Sequence, residues 1–283
     1  MKITLIDCYG VCHTVKHALK KNEEFMNEFQ DVGIIFGFLN KLLKYSKKIP
    51  TDRFVFAWDS LQSKRKEKYP IYKSKEKPEL DEFDKLAFKQ FNQLREEVLP
   101  EMGFQNILFQ EGYEGDDMIG DFVKNNLNKK ITIITSDNDI SQLLSPKVSI
   151  YHIRNDKFLT EKMFIKKNKI EPSKWAKVKS LAGDFGKNLD GVPGVGNANA
   201  ISYLNGTLPS SGKAYKNIIS GEYDFIVKRN EELLTLPLKG VSRKKLKDEY
   251  LYFSDFLKVF NKFDFGYFTT SERSKEWFSN FSC

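Results

Sequence analysis

The sequence predicts an α/β protein built on a central, mostly parallel sheet flanked by helices. Five short runs dominated by apolar and β-branched residues point to it: "ITLID" (3–7), "FVFAWD" (54–59), "NILFQ" (106–110), "ITIITSD" (131–137) and "VSIYHI" (148–153). Between them lie segments of helical periodicity, notably 31–46 and 83–99, and strands that alternate with helices join into parallel sheets through right-handed crossovers. A third observation says where the chemistry sits. Three of the runs end on aspartate, at Asp7, Asp59 and Asp137, and the carboxyl ends of strands in an open sheet share the edge where ligands bind.

The runs then read in order. The first two deliver Asp7 and Asp59. The run at 106–110 is followed by "EGYEGDDMIGDFV" (111–123), which places Glu114, Asp116 and Asp117 at a helix start, with Met118, Ile119, Phe122 and Val123 as the buried face. Any one of these acids has an ordinary explanation. Asp favours the turn after a strand, and the helix macrodipole stabilises carboxylates in a first turn. Their convergence does not, because carboxylates crowded into a small volume repel and raise one another's pKa unless cations relieve them. With no Cys or His pattern nearby, the ligands are hard oxygens, which suit Mg²⁺ or Mn²⁺.

Composition narrows the partner. Lys plus Arg number 46 against 38 Asp plus Glu, giving a formal net charge of +8, which favours a polyanion whose counterions are released on binding. An apolar content of 40% with 14% aromatics supplies a core and excludes wholesale disorder. Runs such as "VGIIFGFL" are too short to span a bilayer, so no membrane role is expected, and no signal peptide opens the chain. The cysteines, Cys8, Cys12 and Cys283, are too few for a disulfide framework and suit a reducing cytosol. The spacing in "CYGVCH" has no second cysteine pair to complete a zinc site, so Cys8 and Cys12 read as structural.

Two further stretches carry binding chemistry. "KRKEKYPIYKSKEK" (64–77) interleaves Lys and Arg, Lys68 and Lys75 among them, with Tyr69 and Tyr72. Cations for phosphates alternating with aromatic faces suit single-stranded nucleic acid, although a solvated basic loop is the plainer reading. The charged, amphipathic segment 79–99 reads as a continuation of this arm over the acidic rim. In "GDFGKNLDGVPGVGNANAISYL" (183–204), glycines including Gly194 and Gly196 permit a tight turn that exposes backbone N–H groups ahead of a helix starting near Asn197. Such a hairpin between helices meets a phosphate. "KGVSRKKLK" (239–247) is a further phosphate contact or a soluble surface, and the Phe- and Tyr-rich segment 250–283 reads as packing back on the body.

In this order, "LIDCYG", "FAWDS", "KRKEKYPIYK", "GYEGDDMIG", "ITSDNDISQLL" and "LAGDFGKNLDGVPGVG" resemble the flap endonuclease/5′-3′ exonuclease family, over residues 1 to about 205. The resemblance implies a PIN-like catalytic domain over 1–160, with a helical arch at about 64–100. It also implies a C-terminal helical DNA-binding region over 161–283 with a glycine hairpin at 191–196. By the same resemblance, Asp7, Asp59, Glu114, Asp116, Asp117, Asp137, Asp139 and Asp184 hold two Mg²⁺ or Mn²⁺ ions. Lys73 and Arg65 offset charge on the scissile phosphate, Tyr72 stacks an unpaired terminal base, and Lys179 contacts phosphate. Backbone carbonyls at Val192 and Val195 hold a K⁺ ion against the duplex.

The implied activity is structure-specific hydrolysis of DNA near 5′ ends or branches, in replication or repair. The expected substrate is branched or 5′-flap DNA, duplex with a single-stranded 5′ arm. A monomer without a fused polymerase, in the cytoplasm of a bacterial or virus-infected bacterial cell, is expected. The chain departs from the family pattern in three places. Lys187 stands where a second metal-site aspartate is usual, with Asp190 nearby; Ala198 and Asn199 replace a basic residue after the hairpin; and the arch arginine falls near Glu76, with Lys75 and Lys77 as stand-ins. The alternative is therefore a DNA-structure-binding protein weakened in cleavage by Lys187.

Overall fold

The protein is described by a computed structural model over residues 1–21, 31–74 and 79–281. All five expected runs form strands: β1 (Lys2–Asp7), β2 (Arg53–Ala57), β3 (Ile107–Leu108), β4 (Lys130–Thr135) and β5 (Val148–His152). They pair in parallel, and a short sixth strand, β6 (Lys157–Leu159), closes one edge antiparallel to β5. The order β3-β2-β1-β4-β5-β6 means that the chain steps outward from β1 through β2 to β3, then crosses back to β4 on the other side of β1. The reversal opens a crevice at the carboxyl ends of β1 and β4, the place where open α/β sheets bind ligands.

The strands are apolar on both faces because both are covered. Their period-2 alternation sorts side chains into two cores. Phe54, Phe56, Ile134 and Tyr151 face one core, with the helices Cys8–Leu19, Gly33–Lys48 and Glu82–Gln93. Leu5, Val55, Ile133 and Ile150 face the other, with the helices Gly115–Asn125, Trp175–Ala182 and Asn197–Leu204. Cys8 and Cys12 are buried free thiols of the first core.

Both cores draw on residues beyond the expected boundary at 160/161. Phe256, Phe260, Phe268, Trp277 and Phe281 join the first, where Trp277 stacks on Phe281 at 4.8 Å between ring centroids. The C-terminal segment thus packs back on the body, each buried large side chain contributing about 1.5–3 kcal/mol. The helix Glu82–Gln93 differs from expectation. It does not continue an arm over the rim but buries Phe83, Ala87 and Phe91 in that same core. Its apolar stripe, which reads equally as an arm face, is satisfied by the body. No helix among the described residues is long and apolar enough to cross a membrane.

Candidate functional site

The crevice is built by strand ends meeting helix starts. Asp7 ends β1 and caps the next helix, its Oδ1 accepting the Gly10 N–H at 2.8 Å. Its Oδ2 accepts from the Thr135 hydroxyl at the end of β4 at 2.7 Å, and the Asp137 N–H donates to that same hydroxyl at 3.0 Å. Thr135 therefore ties the two strand ends across the switch point. Asp59, just past β2, accepts a hydrogen bond from the Gly115 N–H at the start of the helix Gly115–Asn125. A side chain at either glycine would press on the acid beside it. A Cβ at Gly10 would lie 2.4 Å from Asp7 Oδ2, and one at Gly115 3.0 Å from Asp59 Oδ2. Sequence reasoning missed this role for Gly10 and Gly115; an acid shortly before a glycine-bearing helix start was the available signal.

Electrostatics mark the same group. Burial, followed by the charge of Asp137, raises the pKa of Asp7. Burial, then Asp7 and Glu114, pushes Asp59 up to about 7. Burial, then Asp137 and Asp7, lifts Asp116 well above the ordinary range. Carboxyls that cling to protons because they are desolvated and mutually repelled gain equally from any other cation.

The remaining acids already have cations. Glu114 caps the acidic helix and accepts from Lys73 Nζ at 2.8 Å. Burial works against its charge, yet Lys73 and Arg65 hold its pKa below the usual value. Asp139 pairs with Lys187, and Asp184 with Lys179 at 3.4 Å. Asp117 is fully buried and gripped by Arg65 through both guanidinium nitrogens, the Nη2–Oδ1 bond being 2.7 Å. It also accepts the Leu238 N–H at 2.7 Å and the Glu114 N–H at 3.1 Å.

These contacts place three of the expected site residues against other partners. Asp117, expected as a metal ligand, has its oxygens committed to Arg65 and two backbone amides. Arg65, expected to face a scissile phosphate, is 2% exposed and also donates from Nε to the Leu233 carbonyl at 2.8 Å. It joins the arm base to the last turn of the helix Asp224–Leu234. Tyr72, expected to stack a terminal base, has no exposed surface and packs with Leu189, Leu233 and Leu234. Burial pushes its hydroxyl up to about 12, so it stays a neutral donor towards Glu114, 3.4 Å away. Lys73 remains partly open to solvent in a left-handed turn at φ 51°. Lys68 is exposed and paired with Glu232. Lys75, with Glu76 and Lys77, lies outside the described residues.

Among the described residues, no three Asp, Glu, His or Cys side chains stand close enough to hold one ion as they are placed. The donors still fit a hard divalent cation: all are carboxylates, and Asp7, Asp59 and Asp116 carry the raised proton affinity that such an ion would relieve.

The hairpin lies apart, between the helices Trp175–Ala182 and Asn197–Leu204. Its entry is a backbone crossing in which a Cβ at Gly191 would lie 2.3 Å from the Ala182 carbonyl carbon. Its tip is open: Gly194, at φ 76°, and Gly196 have nothing within 4 Å of a would-be Cβ. Gly196 caps the following helix without a side-chain partner, leaving the N–H groups there available to an anion. Val192 and Val195 bury their side chains, and the Val192 carbonyl accepts the Val195 N–H at 3.0 Å.

A mostly parallel sheet with desolvated carboxylates at its switch point, and a glycine hairpin apart from them, defines an α/β protein with an acidic crevice at that point. More narrowly, the chain belongs to the 5′-3′ exonuclease, N-terminal resolvase-like domain family, whose model matches residues 2–169. It is 30% identical over 214 residues to a 5′-3′ exonuclease of Bacillus subtilis, covering 72% of this chain and 69% of that one. It is 28% identical over 206 residues to the thermostable DNA polymerase I of Thermus caldophilus, covering 72% of this chain. The chain spans about a quarter, 24%, of that polymerase. In fold it resembles the T5 5′-exonuclease described with bound divalent metal ions, at a TM-score of 0.68 and 19% identity, covering 94% and 98% of the two chains.

Proposed function

We propose that the protein is a structure-specific 5′ nuclease that hydrolyses DNA phosphodiester bonds near 5′ ends or branch points with Mg²⁺ or Mn²⁺. The observation that carries this reading is the set of carboxylates at the switch point that form no ion pair among the described residues, Asp7, Asp59, Asp116 and Asp137, with the charge of Lys73 acting on Asp7 and Asp59. These four would hold the metal. When bound there, a divalent ion supplies Lewis-acid polarisation of the phosphate and lowers the pKa of attacking water.

The chain's own groups supply the rest. Thr135 and Gly10 fix the Asp7 carboxylate, and Gly115 fixes Asp59. The Lys73 ammonium, held by Glu114 and partly open to solvent, would offset charge gathering on a phosphate. The open hairpin tip offers backbone amides to the duplex, and Lys179, paired with Asp184, serves as a phosphate contact. K⁺ at the carbonyls of Val192 and Val195 is part of the same reading, tested by the dependence of duplex affinity on K⁺ against Na⁺.

The family membership supports the reaction class. A T5 flap endonuclease and the catalytic core of Rad2, both similar in fold, are described in complex with DNA, which supports the substrate. The test is cleavage of a 5′-flap DNA across a Mg²⁺ or Mn²⁺ titration, with an RNA flap alongside. Metal-dependent cutting near the branch is expected. Tight binding without cutting at any metal level favours a DNA-structure-binding protein instead, the reading that the Lys187 ammonium in the crevice supports.

A further inference from the structure

Of the eight acids around the crevice, four are ion-paired: Glu114 with Lys73, Asp117 with Arg65, Asp139 with Lys187 and Asp184 with Lys179. Asp7, Asp59, Asp116 and Asp137 form no ion pair among the described residues. Lys187 is set firmly among these acids. Its side chain is 14% exposed, and its backbone is tied twice. The Lys187 N–H donates to Asp184 Oδ1 at 3.1 Å, and its carbonyl accepts the Lys73 N–H at 2.9 Å. The ammonium bonds Asp139, and Asp137 and Asp116 also attract it. A divalent ion entering between Asp139 and Asp184 would meet this fixed charge head-on, and displacing it would leave a buried ammonium unpaired.

We propose that Lys187 is a tethered counter-ion filling the Asp139–Asp184 half of the crevice, so that the chain binds one divalent ion, at Asp7, Asp59, Asp116 and Asp137, instead of two. The proposal rests on the metal-dependent reading above and concerns how many ions that reading requires. A phosphate approaching the Lys187 side meets a chain-borne ammonium whose presence does not depend on metal concentration.

The test is the number of Mn²⁺ ions bound per full-length chain without DNA, counted by electron paramagnetic resonance of free Mn²⁺ and by calorimetric titration. One ion is expected for the unaltered protein and for Lys187→Arg, which keeps the cation. Two are expected for Lys187→Asp, which frees Asp139 and adds a carboxylate; paired ions about 3.5–4 Å apart would also show exchange-coupled spectra. Lys187→Met, neutral and of similar length, serves if the aspartate variant fails to fold, and should admit a second, weaker ion. Two ions on the unaltered protein, or one ion on every folded neutral or acidic variant, would overturn the proposal while leaving the metal reading intact. No ion on the unaltered protein overturns both.

Discussion

The arm-facing side of the acidic rim and its sheet-facing side use the same side chains and treat buried charge in opposite ways. Towards the arm, Asp117 and Glu114 are neutralised by Arg65 and Lys73. Towards the sheet, Asp7, Asp59 and Asp116 form no ion pair among the described residues, gain hydrogen bonds only at Asp7 and Asp59, and keep raised pKa values with desolvation as the first cause. Asp116 and Asp117 are chain neighbours on opposite sides of this division. The difference teaches that an acidic cluster is not one site. On the proposed reading, its paired members hold the fold in shape and its unpaired members hold the affinity for a ligand cation.

Substitutions at these neighbours should separate the two roles. Asp117→Asn strips a buried guanidinium of its partner and should cost about 3–5 kcal/mol of stability, read by urea unfolding in chelator. A loss below 1 kcal/mol would break the comparison. Asp116→Asn removes repulsion instead, so stability should hold or rise while flap cleavage falls at least about 100-fold, some 3 kcal/mol of lost transition-state stabilisation.

Asp59 gives the same division a pH signature. Its folded pKa of about 7 lies above the ordinary 3.8, so the folded state holds the extra proton between those values. Its contribution to metal-free stability is fully present below about pH 4 and is lost as pH rises through about 7. Asp59→Asn should flatten that slope in a urea series over this range, and an unchanged slope would contradict the assignment.

Away from the rim the expected effects shrink. Gly191→Ala forces a Cβ onto the Ala182 backbone and should cost about 1–3 kcal/mol. Lys179→Met should weaken DNA binding regardless of sequence and lower the salt-dependence slope by about 1.

What the sequence made legible was local. Strand runs, the acids at their ends and the helix start at Glu114 follow from periodicity and turn chemistry within a few residues. The pairings that divide the rim are not local. Arg65 reaches Asp117 across 52 positions, Lys187 reaches Asp139 across 48, and the Leu238 amide reaches Asp117 across 121. A pattern of charge along the chain cannot say which acid receives which cation, so Asp117 read like Asp116. Tyr72 and the helix Glu82–Gln93 misled for a related reason. An aromatic between lysines, or an amphipathic stripe, looks the same whether it meets a ligand or the body of the fold.

The most direct test of the account is the anomalous map of a crystal soaked in Mn²⁺. Density is predicted against Asp7, Asp59 and Asp116, with Asp117 still held by Arg65. An ion on Asp117 with Arg65 displaced, or no ion among the four unpaired carboxylates, would contradict it.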